Sequence, residues 1–136
     1  MAIKKDIEEK TDIERLVNAF YEKVRINQIL GPIFNEVVKV QWENHLPKMY
    51  EFWGAILLGG VQFKGNPMRT HILLSQKTEI GKLQFDTWLQ IWKSTVDELF
   101  TGPLAEDAKT RAESIAGLML LKIETYLKYE NPSKAY

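Results

Sequence analysis

Two histidines, His45 and His71, are the residues of this chain best suited to bind a metal ion or a small polar ligand. His45 lies in an aromatic-rich stretch, residues 41–53, and His71 ends the stretch 65–71. A neutral imidazole is a good ligand for iron or zinc and a good hydrogen-bond partner for a bound gas. Because both imidazoles lie among residues rich in Phe, Trp and Met, the sequence favours a flat, apolar cofactor held between them.

His71 is the better candidate for a metal ligand. It follows the turn signal Gly65-Asn66-Pro67, and residues 68–73 are expected to form one or two helical turns. A short helical piece of this kind can bring an imidazole against the face of a flat ring. The alternative is a surface or capping histidine near a turn, which is the commoner place for a single histidine.

Tyr21, His45 and Trp88 are the candidate hydrogen-bond donors to a ligand on the other side of the cofactor. Tyr21 lies on the apolar stripe of the first predicted helix, where a buried phenol needs a partner for its hydroxyl. His45 is suited to pair with it, and the indole N–H of Trp88 is a further donor. The alternative for Tyr21 is a hydroxyl that reaches solvent at the edge of the core.

Bulky apolar side chains and two cations complete the candidate cofactor site. Aromatic rings and thioethers are polarisable and suit the faces of a flat ring, although each is most simply a core residue. The residues of this kind are Phe34, Met49, Phe52 and Trp92. Lys48 and Arg69 are the cations closest in sequence to the histidines, and either is suited to pair with acidic groups of a cofactor. A solvated charge is the simpler interpretation of each cation.

The elements that must position these residues are all helical. Apolar residues at three- and four-residue spacing predict a first helix that begins at a capping box, residues 11–14. Gly31-Pro32 then breaks the pattern, and Ile33 and Phe34 are expected in a turn or a short helical piece. Pro47 belongs in a first helical turn, so the next helix is predicted from about Leu46 to residues 59–60, with His45 immediately before its first residue.

The second half of the chain predicts two longer helices after an irregular middle. Residues 60–83 carry the least regular pattern, and a structureless segment of this length usually has a function. One helix is predicted over residues 83–100, and the last begins at Pro103, a favoured first-turn residue. The tail, residues 131–134, is expected to be frayed.

Composition excludes several classes of function. Eighteen basic and eighteen acidic side chains cancel, so no net field favours nucleic acid or an anionic membrane. Without cysteine, thiolate metal sites and disulfides are excluded. No hydrolase, metalloprotease, P-loop or dinucleotide motif is present, and no Glu-x-x-His pair suggests a di-iron bundle. With neither a signal peptide nor a membrane-spanning stretch in view, we expect a soluble, cytoplasmic protein.

Several segments, taken in order and spacing, resemble a truncated haemoglobin of the third group, a two-over-two helical globin, over about residues 11–126. These segments are FYEKVR at 20–25, LGPIFN at 30–35, WENH at 42–45 leading to FW at 52–53, PMRTH at 67–71 and FDTWL at 85–89. The resemblance implies that His71 matches the proximal histidine that bonds the haem iron. It implies that Tyr21, His45 and Trp88 match the residues that face a bound gas, and that Phe34 matches the phenylalanine packed against the porphyrin.

The residues and the resemblance together predict one globin-like domain over residues 1–136, a monomer that binds haem b and a diatomic ligand such as dioxygen, nitric oxide or carbon monoxide. One alternative is a haem enzyme for nitric-oxide dioxygenation or peroxidase chemistry. It would need an external reductase, because no flavin or nicotinamide signature is present. The other alternative is a haem-free helical interaction module that kept the fold.

Overall fold

The computed structural model describes residues 3–60, 63 and 65–130, except the side chains of 129 and 130. Within this part of the chain there are five α-helices, one π-helix and no strand, so the predicted all-helical class is confirmed. The α-helices are α1 (Lys10–Ile26), α2 (Trp42–Leu57), α3 (Pro67–Ser75), α4 (Lys82–Leu99) and α5 (Pro103–Glu130), and the π-helix is Ile33–Val37. The tail that was expected to be frayed lies outside the described residues.

The first helix begins earlier than the predicted capping box. Its N-cap is Glu9, and the carboxylate of Asp12 accepts hydrogen bonds from the backbone N–H groups of Glu8 and Glu9. The predicted box was misplaced because the reciprocal box forms two residues earlier, with Glu9 as the N-cap and Asp12 at the third helical position. Burial opposes ionisation of Asp12, but Lys5 and these two N–H donors outweigh it and lower the pKa of the carboxyl.

The chain turns sharply after α1 and so brings Phe34 back toward that helix. The side chain of Asn27 accepts hydrogen bonds from the N–H groups of Ile29 and Leu30, which is a local substitute for helical pairing. Gly31 then passes so close to α1 that a Cβ there would lie 2.7 Å from the carbonyl oxygen of Arg25. The following π-helix confirms the short helical piece expected at Ile33 and Phe34.

The second α-helix begins one turn before the predicted start. The N–H groups of Asn44 and His45 both donate to the carbonyl of Gln41, at 3.0 Å each, so the helix is already formed when Pro47 is reached. Pro47 therefore lies inside α2, where its missing N–H leaves the carbonyl of Glu43 without its helical partner. As a result His45 lies within the first turn of α2, on the same face as Met49 and Phe52.

The helices pack as a two-over-two sandwich, as the resemblance implied. Helix α1 contacts α2 and α4, α4 contacts α5, and α3 packs against α5. Large buried side chains fill the centre, with Trp92, Phe20 and Phe100 the largest of them. Of the described helices, none is long and apolar enough to span a bilayer.

Candidate functional site

An apolar cavity lies where α1, α2, α3, α4 and α5 converge, beside the π-helix. The space inside it, with its open mouth included, is about 930 Å³. Seven of the predicted site residues line it: Tyr21, Phe34, His45, Met49, Phe52, His71 and Trp88. Residues far apart in sequence, from position 21 to position 88, are thus gathered around one cavity.

His71 reaches the cavity from α3, and its tautomer is set by its own helix. Its Nδ1–H donates to the carbonyl of Pro67 at 2.6 Å, one turn earlier. The proton is therefore on Nδ1, and Nε2 keeps its lone pair, with no hydrogen bond to any described residue. Burial lowers the pKa of His71, which the hydrogen bond to Pro67 only partly offsets, so the ring stays neutral near pH 7. A neutral imidazole with one free nitrogen is the form that binds a metal.

Tyr21 and His45 form a hydrogen-bonded pair on another part of the wall. The phenol oxygen is 3.1 Å from His45 Nε2, and the phenol donates when the imidazole proton is on Nδ1. Tyr21 is only 6% exposed, which rules out the alternative of a hydroxyl that reaches solvent. Burial raises the pKa of Tyr21 well above its ordinary value and lowers that of His45, where the charge of Lys48 acts in the same direction. Both groups are therefore neutral near pH 7.

The pair and two neighbouring rings form what we call the Tyr21 cluster: Tyr21, Phe34, Trp42 and His45. Tyr21 lies edge-on to Phe34 and to His45, with ring centres 5.8 and 5.2 Å apart. Trp42 packs on the outer side of the cluster and is stacked on Phe34 at 5.8 Å. Edge-to-face contacts of this kind favour one arrangement of the rings, so they hold the polar atoms of Tyr21 and His45 at the cavity wall.

Trp88 presents a third possible donor from α4. It lines the cavity, and its indole N–H donates to no described residue. Phe20 packs edge-on against its ring at 6.0 Å, and the ring of Trp92 lies parallel to it at 6.3 Å. Trp88 is thus held by core aromatic residues, with its polar nitrogen still available.

Three predicted cofactor residues do not line the cavity. The direct contact predicted for Trp92 is corrected to a supporting role, because Trp92 is fully buried, stacks on Trp53 at 4.2 Å and donates its N–H to the carbonyl of Ala108. Lys48 and Arg69 are exposed and lie outside the wall. Their pairing with acidic groups of a cofactor remains a prediction.

The rest of the wall consists of residues that the sequence did not single out for the site. Most are apolar and belong to the helical stripes that predict core residues, so the pattern could not separate wall from core. They are Phe20, Leu30, Ile33, Trp53, Pro67, Leu74, Ile80, Gln84, Phe85, Ile115, Ala116 and Met119. Gln84 is the one polar side chain among them, and its Oε1 accepts from the N–H of Gly81 at the start of α4.

This fold is that of a globin. The family model of the bacterial-like globins matches residues 5–120, and the chain belongs to that family. A group 3 truncated haemoglobin of Campylobacter jejuni is 31% identical over 107 residues, which are 76% of this chain and 82% of that protein. The crystal structure of a group III truncated haemoglobin from the same organism is also similar. It has a TM-score of 0.79 and 27% identity, and the match covers 91% of this chain and 98% of that one.

The globin family implies a haem cofactor, and the residues around the cavity fit one. A porphyrin is a flat apolar ring, and the wall is almost entirely apolar and aromatic. Histidine is a common ligand of haem iron, and His71, with its proton held on Nδ1 and Nε2 free, is chemically suited to that role. No group of three or more His, Cys, Asp or Glu residues suited to a metal ion occurs in the described part of the chain.

Proposed function

We propose that this chain binds haem b in the cavity and a diatomic gas, such as dioxygen, beside the Tyr21 cluster. The observation that carries the proposal is the arrangement of His71. A neutral imidazole, fixed through Nδ1 by Pro67, presents a free Nε2 to an apolar cavity whose other walls carry Tyr21, His45 and Trp88. When bound, haem would supply an iron atom able to bind a diatomic gas, and His71 Nε2 would be the protein ligand that holds it.

Different residues of the chain would bind different parts of the haem. His71 would present its Nε2 to the iron, and the apolar wall would exclude water from the faces of the porphyrin ring. Trp88 and one member of the Tyr21–His45 pair can donate to a small ligand with partial negative charge: when His45 donates its Nε2–H to the phenol oxygen, the Tyr21 O–H is free. Hydrogen bonds to charged acceptors are worth about 1.5–3 kcal/mol each. Retention by several donors suits sensing of the ligand, or chemistry on it, better than rapid transport.

Visible absorption of the purified chain with added haem tests the proposal. Wild-type protein is expected to show the strong, sharp band of a histidine-ligated haem, and His71→Ala is expected to lose that ligation. His45→Ala is the matched control, because it also removes a cavity imidazole but should keep the ligated spectrum. A wild-type spectrum equal to that of free haem, or equal spectra for the two variants, would refute the role of His71.

A further inference from the structure

Arg25 lies against the outer side of the Tyr21 cluster. It belongs to the last turn of α1, and its guanidinium carbon is 4.3 Å from the centre of the Trp42 ring, within the range of cation–π attraction. Among the described residues no carboxylate forms an ion pair with Arg25. The guanidinium therefore has no competing partner that would draw it away from the indole.

Trp42 touches both members of the hydrogen-bonded pair without lining the cavity itself. Its ring centre is 5.2 Å from that of Tyr21 and 5.8 Å from that of His45. Trp42 and His45 are both half-buried and share the first turn of α2, whereas Tyr21 is buried on α1. Movement of Trp42 outward would therefore remove the packing that keeps the His45 ring against the Tyr21 hydroxyl.

The backbone near Arg25 is itself anchored. Its carbonyl oxygen accepts a hydrogen bond from the side-chain amide of Asn35 at 3.2 Å, and Gly31 packs directly against the same oxygen. The base of the arginine side chain is thus tied to the segment that carries Phe34, on which Trp42 is stacked. Arg25 and Phe34 contact the indole from positions that are fixed relative to one another.

We propose that Arg25 is a positioning residue that clamps Trp42 onto Tyr21 and His45, and so keeps their hydrogen bond formed at the cavity wall. The Arg25–Trp42 contact joins α1 to α2 on the outer side of the site. The Tyr21–His45 hydrogen bond joins the same two helices at the cavity wall. The consequence of the clamp for a bound gas rests on the proposed function, but the clamp itself does not. Without the clamp, the side chains of Tyr21 and His45 remain, but their hydrogen bond is formed for a smaller fraction of the time.

The exchange of the Tyr21 hydroxyl proton with water, measured by NMR on the full chain without haem, tests the clamp. Arg25→Gln is expected to speed this exchange about two- to fivefold, the factor that corresponds to one exposed cation–π contact. Arg25→Lys keeps a cation over the ring and should restore slow exchange. Trp42→Leu keeps the charge of Arg25 but removes the indole, so fast exchange in this variant separates clamping from a direct effect of the charge.

Arg15→Gln is the matched control. Arg15 is also exposed on α1 and lies over an aromatic ring, that of Phe100 at 5.6 Å, but Phe100 does not line the cavity. This variant should leave the exchange unchanged, and urea unfolding of each variant shows whether global stability differs. Equal exchange in Arg25→Gln and Arg15→Gln, or unchanged exchange in Trp42→Leu, would overturn the proposal.

A second readout connects the clamp to the proposed function. In haem-loaded protein, with carbon monoxide as the probe, Arg25→Gln is expected to change the rate of ligand release about two- to fivefold, and Arg15→Gln is expected not to change it. Failure of the chain to bind haem would refute the proposed function and leave the proton-exchange result standing. An unchanged proton exchange in a chain that binds haem would refute the clamp alone.

Discussion

At the scale of single residues, the two imidazoles of the site are held in different ways. His71 is fixed by a carbonyl of its own helix, four residues earlier, so its orientation is a local property that a short sequence can encode. His45 is fixed by Tyr21, which lies on a different helix 24 residues away. That contact exists only once α1 and α2 have packed, which is why the sequence could suggest the pair but left a solvent-facing Tyr21 open.

Tyr21→Phe tests the donor that is most deeply buried. The substitution removes one hydroxyl and little volume, so the cavity should persist while a bound ligand loses a hydrogen bond. A hydrogen bond to a partly charged acceptor is worth about 1.5–3 kcal/mol, so dioxygen release from haem-loaded protein should quicken roughly 10- to 150-fold. Stopped-flow measurement of release gives the rate. Tyr50→Phe, at a tyrosine outside the cavity wall, is the control, and equal rates in the two variants would refute the role of Tyr21.

Stability should fall on mild acidification because of the same two imidazoles. Burial lowers the pKa of both His45 and His71 below the ordinary value of 6.5. Below pH 6.5 the unfolded chain therefore binds protons that the folded chain does not, so the free energy of unfolding decreases as pH falls toward the folded pKa values. Urea unfolding of the haem-free chain at several pH values between about 7.5 and 5 measures this slope.

The matched control for this pH dependence is the double variant His45→Gln/His71→Gln, which removes both titrating imidazoles. Its free energy of unfolding should vary less with pH in this window than that of the wild type. The pKa values of the half-buried Asp6 and the buried Asp12 are lowered from an ordinary 3.8, so these carboxyls lose their contribution only at more acidic pH. An equal slope in the variant and the wild type would show that the histidines do not cause the effect.

At the scale of elements, the sequence predicted the type and order of the helices better than their starts. The start of α1 was misplaced because residues 9–12 as well as 11–14 can form a reciprocal box, and the box that forms is the one whose Asp12 also pairs with Lys5. The starts of α3 and α5 were recognisable because Pro67 and Pro103 are their first residues. Proline gave the wrong start for α2, where Pro47 lies in the interior.

Gly31→Ala tests the turn that carries Phe34 back to α1. The new Cβ would lie 2.7 Å from the Arg25 carbonyl oxygen, so the turn must shift, at a cost of about 1–3 kcal/mol. Urea unfolding measures the loss. Gly54→Ala is the control, because a Cβ at this position in α2 meets nothing within 4 Å, and a glycine in the interior of a helix costs about 0.5–1 kcal/mol relative to alanine. Stabilisation by both substitutions would contradict the close approach at Gly31.

At the scale of the whole molecule, the cavity is the part that sequence reasoning could not delimit. The residues of the cavity that can bind a metal or donate a hydrogen bond could be predicted, because few His, Tyr and Trp residues lie on apolar stripes. Its apolar wall could not, because Ile115, Ala116 and Met119 of α5 follow the same spacing as the buried residues Ala108 and Ala112 of that helix. Only the packing of five helices decides which part of a stripe faces the empty space and which part faces another helix.

The N-terminal segment ties the start of the described chain to the start of its last helix. The carboxylate of Asp6 accepts hydrogen bonds from the backbone N–H groups of Leu104 and Ala105, at 2.9 and 2.8 Å, and so caps α5 from 98 or more residues away. Burial opposes the ionisation of Asp6, but these donors and the N–H of Ile7 outweigh it and lower its pKa. Gly102 permits the approach, because a Cβ there would lie 2.5 Å from the carboxyl carbon of Asp6.

Asp6→Ala should therefore destabilise the whole fold. Loss of an N-cap carboxylate costs about 0.5–2 kcal/mol, and two N–H groups of α5 lose their acceptor while the segment before α1 loses its anchor. Asp6→Asn keeps one acceptor oxygen and should lose less. Glu8→Ala removes a nearby exposed carboxylate whose contact with Lys5 is long, at 3.9 Å, so its effect should stay within about 0.5 kcal/mol. Urea unfolding ranks the three variants, and an Asp6→Ala protein as stable as Glu8→Ala would show that α5 does not need this cap.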